Sequence, residues 1–444
     1  MKLAKITFIG AGSTVFMKSI LADILLEPEL NSFDIALHDI DPKRLKTSQI
    51  VADNICKSLK APASIKTTLD RKEALKDADF VIVMIQVGGY EPSTVIDFEI
   101  PAKYGLQQTI ADTLGIGGIM RGLRTVPVLV EIAKDIMEQC PKAWMLQYVN
   151  PMAINCLALS DFVPELQYVG LCHSVQGTAA DLARDIREDL SKIQYECYGI
   201  NHMSFFTKFE KKLDNGLMED LYPKIFKAGE EGNFGTNWDG CSNHVRYEVL
   251  KRLGYFVTES SEHFAEYTPW FIKNHQKELI SKFDIPVNEY IRRCKKQIQE
   301  WGIQEKELIS NPQKEYKKSV EYASRIILSM VTGNKDIIYG NVLNKNFIPN
   351  LPNNSCVEVP CIVQKNDLTP QSVPPLPMHL ANLIKTNINV QQLTVESLKT
   401  LKKETIYHAA MLDPHTAGEL NLDQIWKMVD ELLDAHGSML PAFK

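Results

Sequence analysis

A glycine turn close to the N-terminus constrains the fold of this chain more than any other feature. The apolar segment Ala4–Ile9 is typical of a buried strand, and Val15–Leu26 carries apolar residues at helical spacing. Between them, Gly10 allows a tight turn, and Gly12 lets a pyrophosphate approach the backbone at a helix N-terminus. A strand, a Gly-x-Gly turn and a helix in this order predict the first unit of a dinucleotide-binding domain.

Short apolar runs rich in β-branched residues alternate with helical patterns through the first half of the chain. The further predicted strands are Phe33–Leu37, Phe80–Ile85 and Trp144–Val149. The further predicted helices are Pro42–Leu59, which begins with Asp41 as N-cap and proline at its first position, and Ile119–Met137. This alternation predicts βαβ units and an α/β fold with a doubly wound parallel sheet.

An acidic residue, Asp39, follows the second predicted strand. An acid at this point accepts hydrogen bonds from a ribose 2′-hydroxyl, which favours NAD over NADP. The fingerprint is partial, because its third position holds Val15 instead of glycine or alanine. The alternative is that Asp39 only caps the next helix, although Asp41 is better placed for that. The predicted NAD-binding residues are Gly10, Gly12, Ser13 and Asp39.

Length and composition narrow the class of protein. With 444 residues the chain is long enough for two or three domains. A formal net charge of −6 argues against a nucleic-acid partner, and no run approaches the roughly 18 apolar residues of a membrane span. The nine cysteines are irregularly spaced and contain no Cys-x-x-Cys pair, which favours reduced thiols and a cytoplasmic location.

The second half of the chain has a different pattern. Long charged helices are predicted over Asn288–Glu300 and Glu305–Met330, and an amphipathic helix over Leu422–His436. Residues 337–363 are strand-like, with proline and asparagine between the apolar runs. No internal repeat is present.

Three further motifs contain residues suited to chemistry. Residues 112–127, with Arg121 and Arg124, are glycine-rich and could shape a loop over a nicotinamide ribose; the alternative is a surface loop with a salt-bridged arginine pair. Asn150 directly follows a predicted strand, where open parallel sheets bind ligands. Cys172 and His202 offer a thiol and an imidazole, which suit a borderline divalent metal, although a Cys and His so far apart are more often unrelated.

Taken together, these motifs resemble a known enzyme family. Gly-Ala-Gly-Ser, Asp-Thr-Leu-Gly-x-Gly-Gly, Leu-Arg-Thr-x-Pro, Asn-Pro-Met, Cys-His-Ser and Gly-Ile-Asn-His occur in this order, as in the NAD- and divalent-metal-dependent glycosidases of glycoside hydrolase family 4. The segments Tyr255–Trp270 and Pro349–Val359, and Cys-His-Ser itself, resemble the α-galactosidase (melibiase) branch. The likeness covers essentially the whole chain.

The resemblance implies a fold and an assembly. It implies a Rossmann-type domain, placed here at residues 1–195, joined to a mixed α/β domain at residues 196–444 that binds substrate and forms the oligomer. Members of the family assemble as homodimers or homotetramers.

The resemblance also implies a mechanism unlike that of glycosidases with two carboxylates. NAD⁺ takes a hydride from C3 of the sugar, which makes the C2 proton acidic. A protein base removes that proton, the O1 leaving group is eliminated, water adds, and the steps then reverse. A divalent metal, manganese by resemblance, polarises the C3 oxygen.

Carried over residue by residue, the resemblance makes Cys172 and His202 the metal ligands and Asn150 a binder of sugar hydroxyls. His173 stands where phosphoglucosidase relatives have aspartate, so it either protonates the leaving group or only orients it. Tyr267 is the favoured base and would need a lowered pKa. The alternatives are that Tyr267 only packs against Pro269 and Trp270, or that the base is Glu266 or His263.

Three other functions stay open at this level. A relative within the family could act on α-galacturonides or α-glucosides instead of α-galactosides. A 2-hydroxy-acid dehydrogenase of the lactate/malate type shares the N-terminal architecture but needs no metal. A non-catalytic NAD-binding sensor would keep Gly10, Gly12 and Asp39 without metal-dependent turnover.

Overall fold

The computed structural model describes residues 4–237, 240–310 and 315–444. The described residues form one mixed sheet of 13 strands with helices packed on both faces. The strands are β1 (Lys5–Ile9), β2 (Asp34–His38), β3 (Ser64–Thr68), β4 (Phe80–Val83), β5 (Trp144–Gln147), β6 (Tyr168–Gly170), β7 (Ile193–Ile200), β8 (Met203–Lys212), β9 (Met218–Asp220), β10 (Phe256–Val257), β11 (Asp336–Leu343), β12 (Cys356–Gln364) and β13 (Asp367–Pro370).

The helices fall between and after these strands. They are α1 (Thr14–Leu25), α2 (Pro42–Leu59), α3 (Arg71–Leu75), α4 (Val95–Lys103), α5 (Gly115–Gln139), α6 (Met152–Phe162), α7 (Ser174–Asp185), α8 (Tyr222–Glu231), α9 (His244–Leu253), α10 (Ser261–Ala265), α11 (Glu278–Lys282), α12 (Glu289–Ser310), α13 (Ala323–Thr332), α14 (Met378–Thr400), α15 (Lys403–Leu412), α16 (Pro414–Glu419) and α17 (Leu422–His436). None of the described helices is long and apolar enough to cross a membrane.

The first six strands are parallel, in the order β3-β2-β1-β4-β5-β6. This is the strand order of a dinucleotide-binding Rossmann fold, and it confirms the predicted fold class. The order reverses between β1 and β4, so a crevice for ligands opens beyond the carboxyl ends of these strands.

The same sheet continues into the second half of the chain. Beyond β6 the order is β11-β12-β7-β8-β10, and all of these strands pair antiparallel. The carboxyl end of β6 therefore lies beside strands of the C-terminal half. The predicted division between residues 195 and 196 lies inside β7, and it stays a prediction.

Two sequence-based helix predictions agree with the structure at both ends, and one is wrong. Pro42–Leu59 and Leu422–His436 are helices with the predicted bounds, and Asp41 caps the first by accepting from two backbone N–H groups. The single helix predicted over Glu305–Met330 is wrong, because α12 ends at Ser310 and residues 315–322 are not helical. That segment is held to α1 instead: Ser319 donates from its backbone N–H to Asp23.

Helices α4, α5 and α17 meet at a fully buried ion cluster. Arg124 on α5 makes two hydrogen bonds to Asp97 on α4, at 3.2 and 2.6 Å, and a third to the carbonyl of Val87. His436, at the end of α17, contacts the same carboxylate at 2.8 Å. Arg121 is buried on α5 as well, so the surface-loop alternative for the two arginines is wrong.

We expect Arg124→Met to lower the free energy of unfolding by about 3–5 kcal/mol, because it leaves the Asp97 carboxylate buried without its main partner. The matched control is Arg325→Met, which breaks the Arg325–Asp336 pair at the surface and should cost less than about 1 kcal/mol. Urea unfolding of both variants measures the difference. An equal loss of unfolding free energy in the two variants would show that the buried ion cluster stabilises the fold no more than a surface ion pair does.

Candidate active site

The turn after β1 requires glycine at Gly10. Its φ is +90°, and its N–H donates to the carbonyl of His38 at 3.0 Å. A Cβ atom at Gly10 would lie 2.7 Å from the carbonyl oxygen of Met84, the residue directly after β4. The turn therefore combines a left-handed backbone with a close approach of two strands.

Asp39 closes the same turn from the side of β2. One carboxylate oxygen accepts from the N–H of Gly12 at 2.7 Å, and the other accepts from the N–H of Asp41 at 2.9 Å. A Cβ atom at Gly12 would lie 2.6 Å from this carboxylate. The side-chain cap of α2 is Asp41, so the capping role is filled without Asp39.

A cavity of about 820 Å³ begins at this turn and runs across the carboxyl ends of the parallel strands. Gly10, Gly12, Ser13 and Asp39 line one end, and Tyr148 and Asn150 line the other. The volume falls within the range of small-molecule and cofactor sites. The glycine positions, where a side chain would collide, and the acid beside them fit NAD.

The two predicted metal ligands, Cys172 and His202, come together with a third donor. Cys172 follows β6, His202 lies in the two-residue turn between β7 and β8, and Glu259 follows β10. The Cys172 Sγ is 3.4 Å from Nε2 of His202, which is 3.7 Å from a carboxylate oxygen of Glu259. A thiolate, an imidazole and a carboxylate within 4.8 Å of one another suit a borderline divalent metal.

The backbone at two of these donors is held in an uncommon conformation. His202 and Glu259 both have a φ of +65°. Arg246, which is fully buried, donates to the carbonyl of Glu259 and pairs with Asp181 at 3.1 Å. Left-handed backbone at non-glycine residues is concentrated at functional sites, where the surrounding contacts hold it in place.

The imidazole of His202 is neutral and fixed in its orientation. Burial lowers the pKa of His202 to about 4, so the ring is neutral at physiological pH. Its Nδ1 is 3.1 Å from the phenol oxygen of Tyr267, which leaves Nε2 facing Cys172 and Glu259. Tyr267 is fully buried behind the ring, and burial raises its pKa well above the ordinary value.

The other predicted base candidates are engaged elsewhere. His263 lies 3.5 Å from Glu259 and 3.8 Å from Asp112. Although burial opposes its protonation, these carboxylates raise the pKa of His263 to about 9, so it carries a proton at neutral pH. Glu266 accepts from the backbone N–H groups of Thr109 and Ala111, both at 2.8 Å, and holds that loop in place.

Asn150 connects the cavity to the donor cluster formed by Cys172, His202 and Glu259. Its side-chain amide donates to Asp112 at 3.2 Å, and its backbone carbonyl accepts from Arg121 at 3.3 Å. Asp112 in turn faces His263. A continuous line of polar contacts therefore runs from the end of the cavity to Glu259.

His173 lies beside Cys172 at the start of α7, where its side chain is about one-third exposed. Its Nδ1 is 3.2 Å from a carboxylate oxygen of Glu321, which comes from the non-helical segment before α13. A carboxylate on Nδ1 selects the ring tautomer.

Sequence reasoning did not single out Glu259 and Glu321. Glu259 lies within the Tyr255–Trp270 segment, and its signal is its position just after a short apolar strand, like that of Asn150. Glu321 carries no comparable signal, because it lies inside the segment that was wrongly predicted to be helical.

Comparisons with known proteins agree with this geometry. The model of the family 4 glycosyl hydrolases matches residues 5–188, and that of the family 4 glycosyl hydrolase C-terminal domain matches residues 197–416. An α-galactosidase of Bacillus subtilis (strain 168) is 48% identical to this chain over 442 residues, and the match covers 100% of both chains.

Solved structures share the fold. The putative glucosidase lplD of Bacillus subtilis superposes with a TM-score of 0.87 at 24% identity, over 98% of this chain and 100% of that one. A 6-phospho-α-glucosidase from gut microorganisms, in complex with NAD and Mn²⁺, superposes with a TM-score of 0.79 at 19% identity, over 100% of both chains. The chain belongs to family 4 of the glycosyl hydrolases, which it matches in both halves.

Proposed function

We propose that this chain is an α-galactosidase that hydrolyses α-galactosides with the help of NAD and a divalent metal ion. The observation that carries the proposal is the Cys172–His202–Glu259 donor cluster, joined by polar contacts to a cavity that begins at a dinucleotide-binding turn. A dehydrogenase of the lactate/malate type needs no such cluster, and a sensor needs no catalytic groups. The identity to an α-galactosidase along the whole chain supports the choice of sugar.

When bound, NAD⁺ supplies the hydride acceptor for C3 of the sugar, and a divalent ion such as Mn²⁺ supplies positive charge at the C3 oxygen. The residues of the chain hold these groups around one sugar ring. Asp39 accepts from the cofactor's ribose, Cys172 and His202 bind the metal, and Asn150 donates to a sugar hydroxyl. The burial of these groups excludes water and strengthens their interactions with charge.

Two residues are candidates for the base that removes the C2 proton. Tyr267, the base predicted from the sequence, contacts the side of His202 that faces away from Cys172. Glu259 lies on the metal side, and although burial opposes its ionisation, the neighbouring imidazoles, of which His263 is protonated, keep the pKa of Glu259 below the ordinary value. We favour Glu259, whose carboxylate in this proposal lies beside the metal ligands Cys172 and His202 without binding the metal itself. Tyr267 is then a positioning residue that fixes the tautomer of His202.

We expect Tyr267→Phe to weaken Mn²⁺ binding by roughly 10- to 100-fold, as the loss of a partner that orients a metal-bound histidine does, while kcat at saturating Mn²⁺ changes little. Glu259→Gln should lower kcat by about 10²–10⁴, the contribution of a general base. Calorimetric titration with Mn²⁺ and steady-state kinetics separate the two roles. Unchanged Mn²⁺ affinity in Tyr267→Phe, with kcat lowered by 10²–10⁴, would return the base role to Tyr267.

His173 is the proposed proton donor to the leaving group, because its imidazole is partly exposed and directly follows Cys172. Glu321 contacts Nδ1 and so fixes the orientation of the ring. Removal of this carboxylate in Glu321→Gln should therefore lower activity most for substrates with poor leaving groups, such as alkyl galactosides. Nitrophenyl galactosides, whose leaving group needs little protonation, should be affected less.

The choice of sugar follows from the identity to an α-galactosidase along the whole chain. We therefore place α-galactosides before α-galacturonides, and the family alternatives become arms of the test.

The test is a panel of nitrophenyl glycosides assayed with NAD⁺ and Mn²⁺ under reducing conditions. We expect the α-galactoside to be hydrolysed with the highest kcat/KM, and the β-galactoside, α-glucoside and α-galacturonide to be poor substrates. Preference for the galacturonide would overturn the choice of sugar. Hydrolysis of none of the four would overturn the proposed function.

Three further proposals concern the whole protein. The nine cysteines are free in the structure, which suits a reducing compartment, and we propose that the enzyme works in the cytoplasm. We propose a homodimer or homotetramer, to be measured by light scattering, and a division into two domains near residue 195. No nucleic acid or membrane is a proposed partner.

A further inference from the structure

Helix α12, from the C-terminal half, lies along the cofactor cavity. Tyr290, Cys294, Gln297 and Trp301 line the cavity at intervals of three and four residues, which places them on one face of the helix. The 22 residues of α12 extend about 33 Å at 1.5 Å per residue, which is long enough to follow an extended dinucleotide.

Both ends of α12 are attached to the nucleotide-binding half. At the start, the backbone N–H of Tyr290 donates to the carbonyl of Thr109 at 3.0 Å. Near the end, Glu305 accepts from the hydroxyl of Thr47 on α2 at 2.6 Å. These two contacts fix the face of α12 that lines the cavity in its position relative to the nucleotide-binding half.

Trp301 lies at the end of the cavity that contains Asp39. The guanidinium of Arg44 lies over the Trp301 ring, 5.0 Å from its centroid, and donates to the carbonyl of Gly12 at 3.0 Å. Ile40, the residue after Asp39, lines the same end with 90% of its surface exposed. An indole, a guanidinium plane and an exposed aliphatic side chain therefore surround the place next to the ribose-binding acid.

We propose that Trp301, supported by Arg44, binds the adenine ring of the cofactor, so that the C-terminal half completes the NAD site. An adenine ring stacks on aromatic and guanidinium faces. The exposed side chain of Ile40 offers an apolar surface, and an adenine ring that covers it removes that surface from water, which favours binding. The engagement of Arg44 with Gly12 and Trp301 also keeps that cation from serving a 2′-phosphate. The inference rests on NAD being the cofactor, as proposed above.

The contact of Trp301 with the adenine ring has a consequence for the catalytic cycle. A reaction that oxidises and then reduces the same sugar returns NAD to its starting state, so the cofactor need not leave between turnovers. A helix that contacts the adenine end slows its departure. Trp301→Ala is therefore expected to raise the dissociation rate of NAD⁺ as well as its Kd.

The experiment compares three ligands by calorimetric titration of the Mn²⁺-free protein: NAD⁺, ADP-ribose and nicotinamide mononucleotide. Trp301→Ala should raise the Kd of NAD⁺ and ADP-ribose by roughly 5- to 150-fold, the usual loss of one base-stacking contact. The Kd of nicotinamide mononucleotide, which has no adenine, should stay within about twofold of the wild-type value. Trp301→Phe should retain most of the affinity for all three.

The matched control is Ile303→Ala, which removes an exposed apolar side chain two residues further along α12 and outside the cavity lining. It should bind all three ligands like the wild type. Wild-type affinity of Trp301→Ala for ADP-ribose would overturn the adenine contact while leaving NAD as the cofactor. Equal losses for ADP-ribose and nicotinamide mononucleotide would overturn it too, since they would reflect displacement of the whole helix. Wild-type protein that binds no NAD⁺ would overturn both this inference and the proposed cofactor.

Discussion

Replacement of Cys172 by serine is expected to lower kcat/KM by about 10³ or more and to weaken Mn²⁺ binding, with NAD⁺ affinity nearly unchanged. A metal that polarises a reacting oxygen contributes several kcal/mol, and each ~1.4 kcal/mol is a factor of ten in rate. A serine hydroxyl is a poor replacement for a thiolate, because it stays protonated and offers a harder donor atom. The glycine turn of the NAD site follows β1, whereas Cys172 follows β6, so the two lie on different segments.

Cys56→Ser is the control for this substitution, since Cys56 is a half-buried cysteine on α2 outside the donor cluster. Its activity and Mn²⁺ affinity should stay close to the wild type. The measurements are Mn²⁺ and NAD⁺ titrations and kinetics at several Mn²⁺ concentrations. Wild-type turnover of Cys172→Ser at micromolar Mn²⁺ would mean that Cys172 is not a ligand.

Removal of either NAD or the metal is expected to abolish hydrolysis of the α-galactoside. Protein stripped of nucleotide and treated with a chelator should regain activity only when both NAD⁺ and Mn²⁺ are returned. NAD⁺ equimolar with enzyme should suffice, and absorbance at 340 nm should show no steady accumulation of NADH, because the hydride returns to the sugar. Net NADH production in step with product would revive the dehydrogenase alternative.

The first elements of the fold, β1, α1 and α2, were predictable because their local signals agree with the tertiary structure. The apolar run before Gly10, the helix pattern after it and the Asp41 cap each specify their element without distant contacts. The hairpin of β7 and β8 was not predicted, because most residues of both strands around the turn are buried and no alternation of polar and apolar residues marks them. Residues 315–322 have helical character in sequence but are not helical in the structure, where they contact partners on α1 and α7.

The residues of the site were predictable only where they belong to a recognisable sequence motif. Cys172 and His202, 30 positions apart, were paired through a family resemblance, and the fold brings their side chains to 3.4 Å. Glu259 enters the same cluster because β10 pairs with β8 at the far side of the sheet, and no local pattern encodes that pairing. Glu321 lies in residues 315–322, for which the sequence wrongly predicts a helix.

The central claim is that this chain cleaves a glycosidic bond by elimination and addition, and solvent exchange at C2 tests it most directly. Galactose released in heavy water should carry deuterium at C2, because a protein base removes that proton before a solvent-equilibrated proton returns. A substrate deuterated at C2 should also show a primary isotope effect where proton removal limits the rate. Galactose that keeps protium at C2, with no isotope effect from the C2-deuterated substrate, would contradict the account and indicate direct displacement at C1.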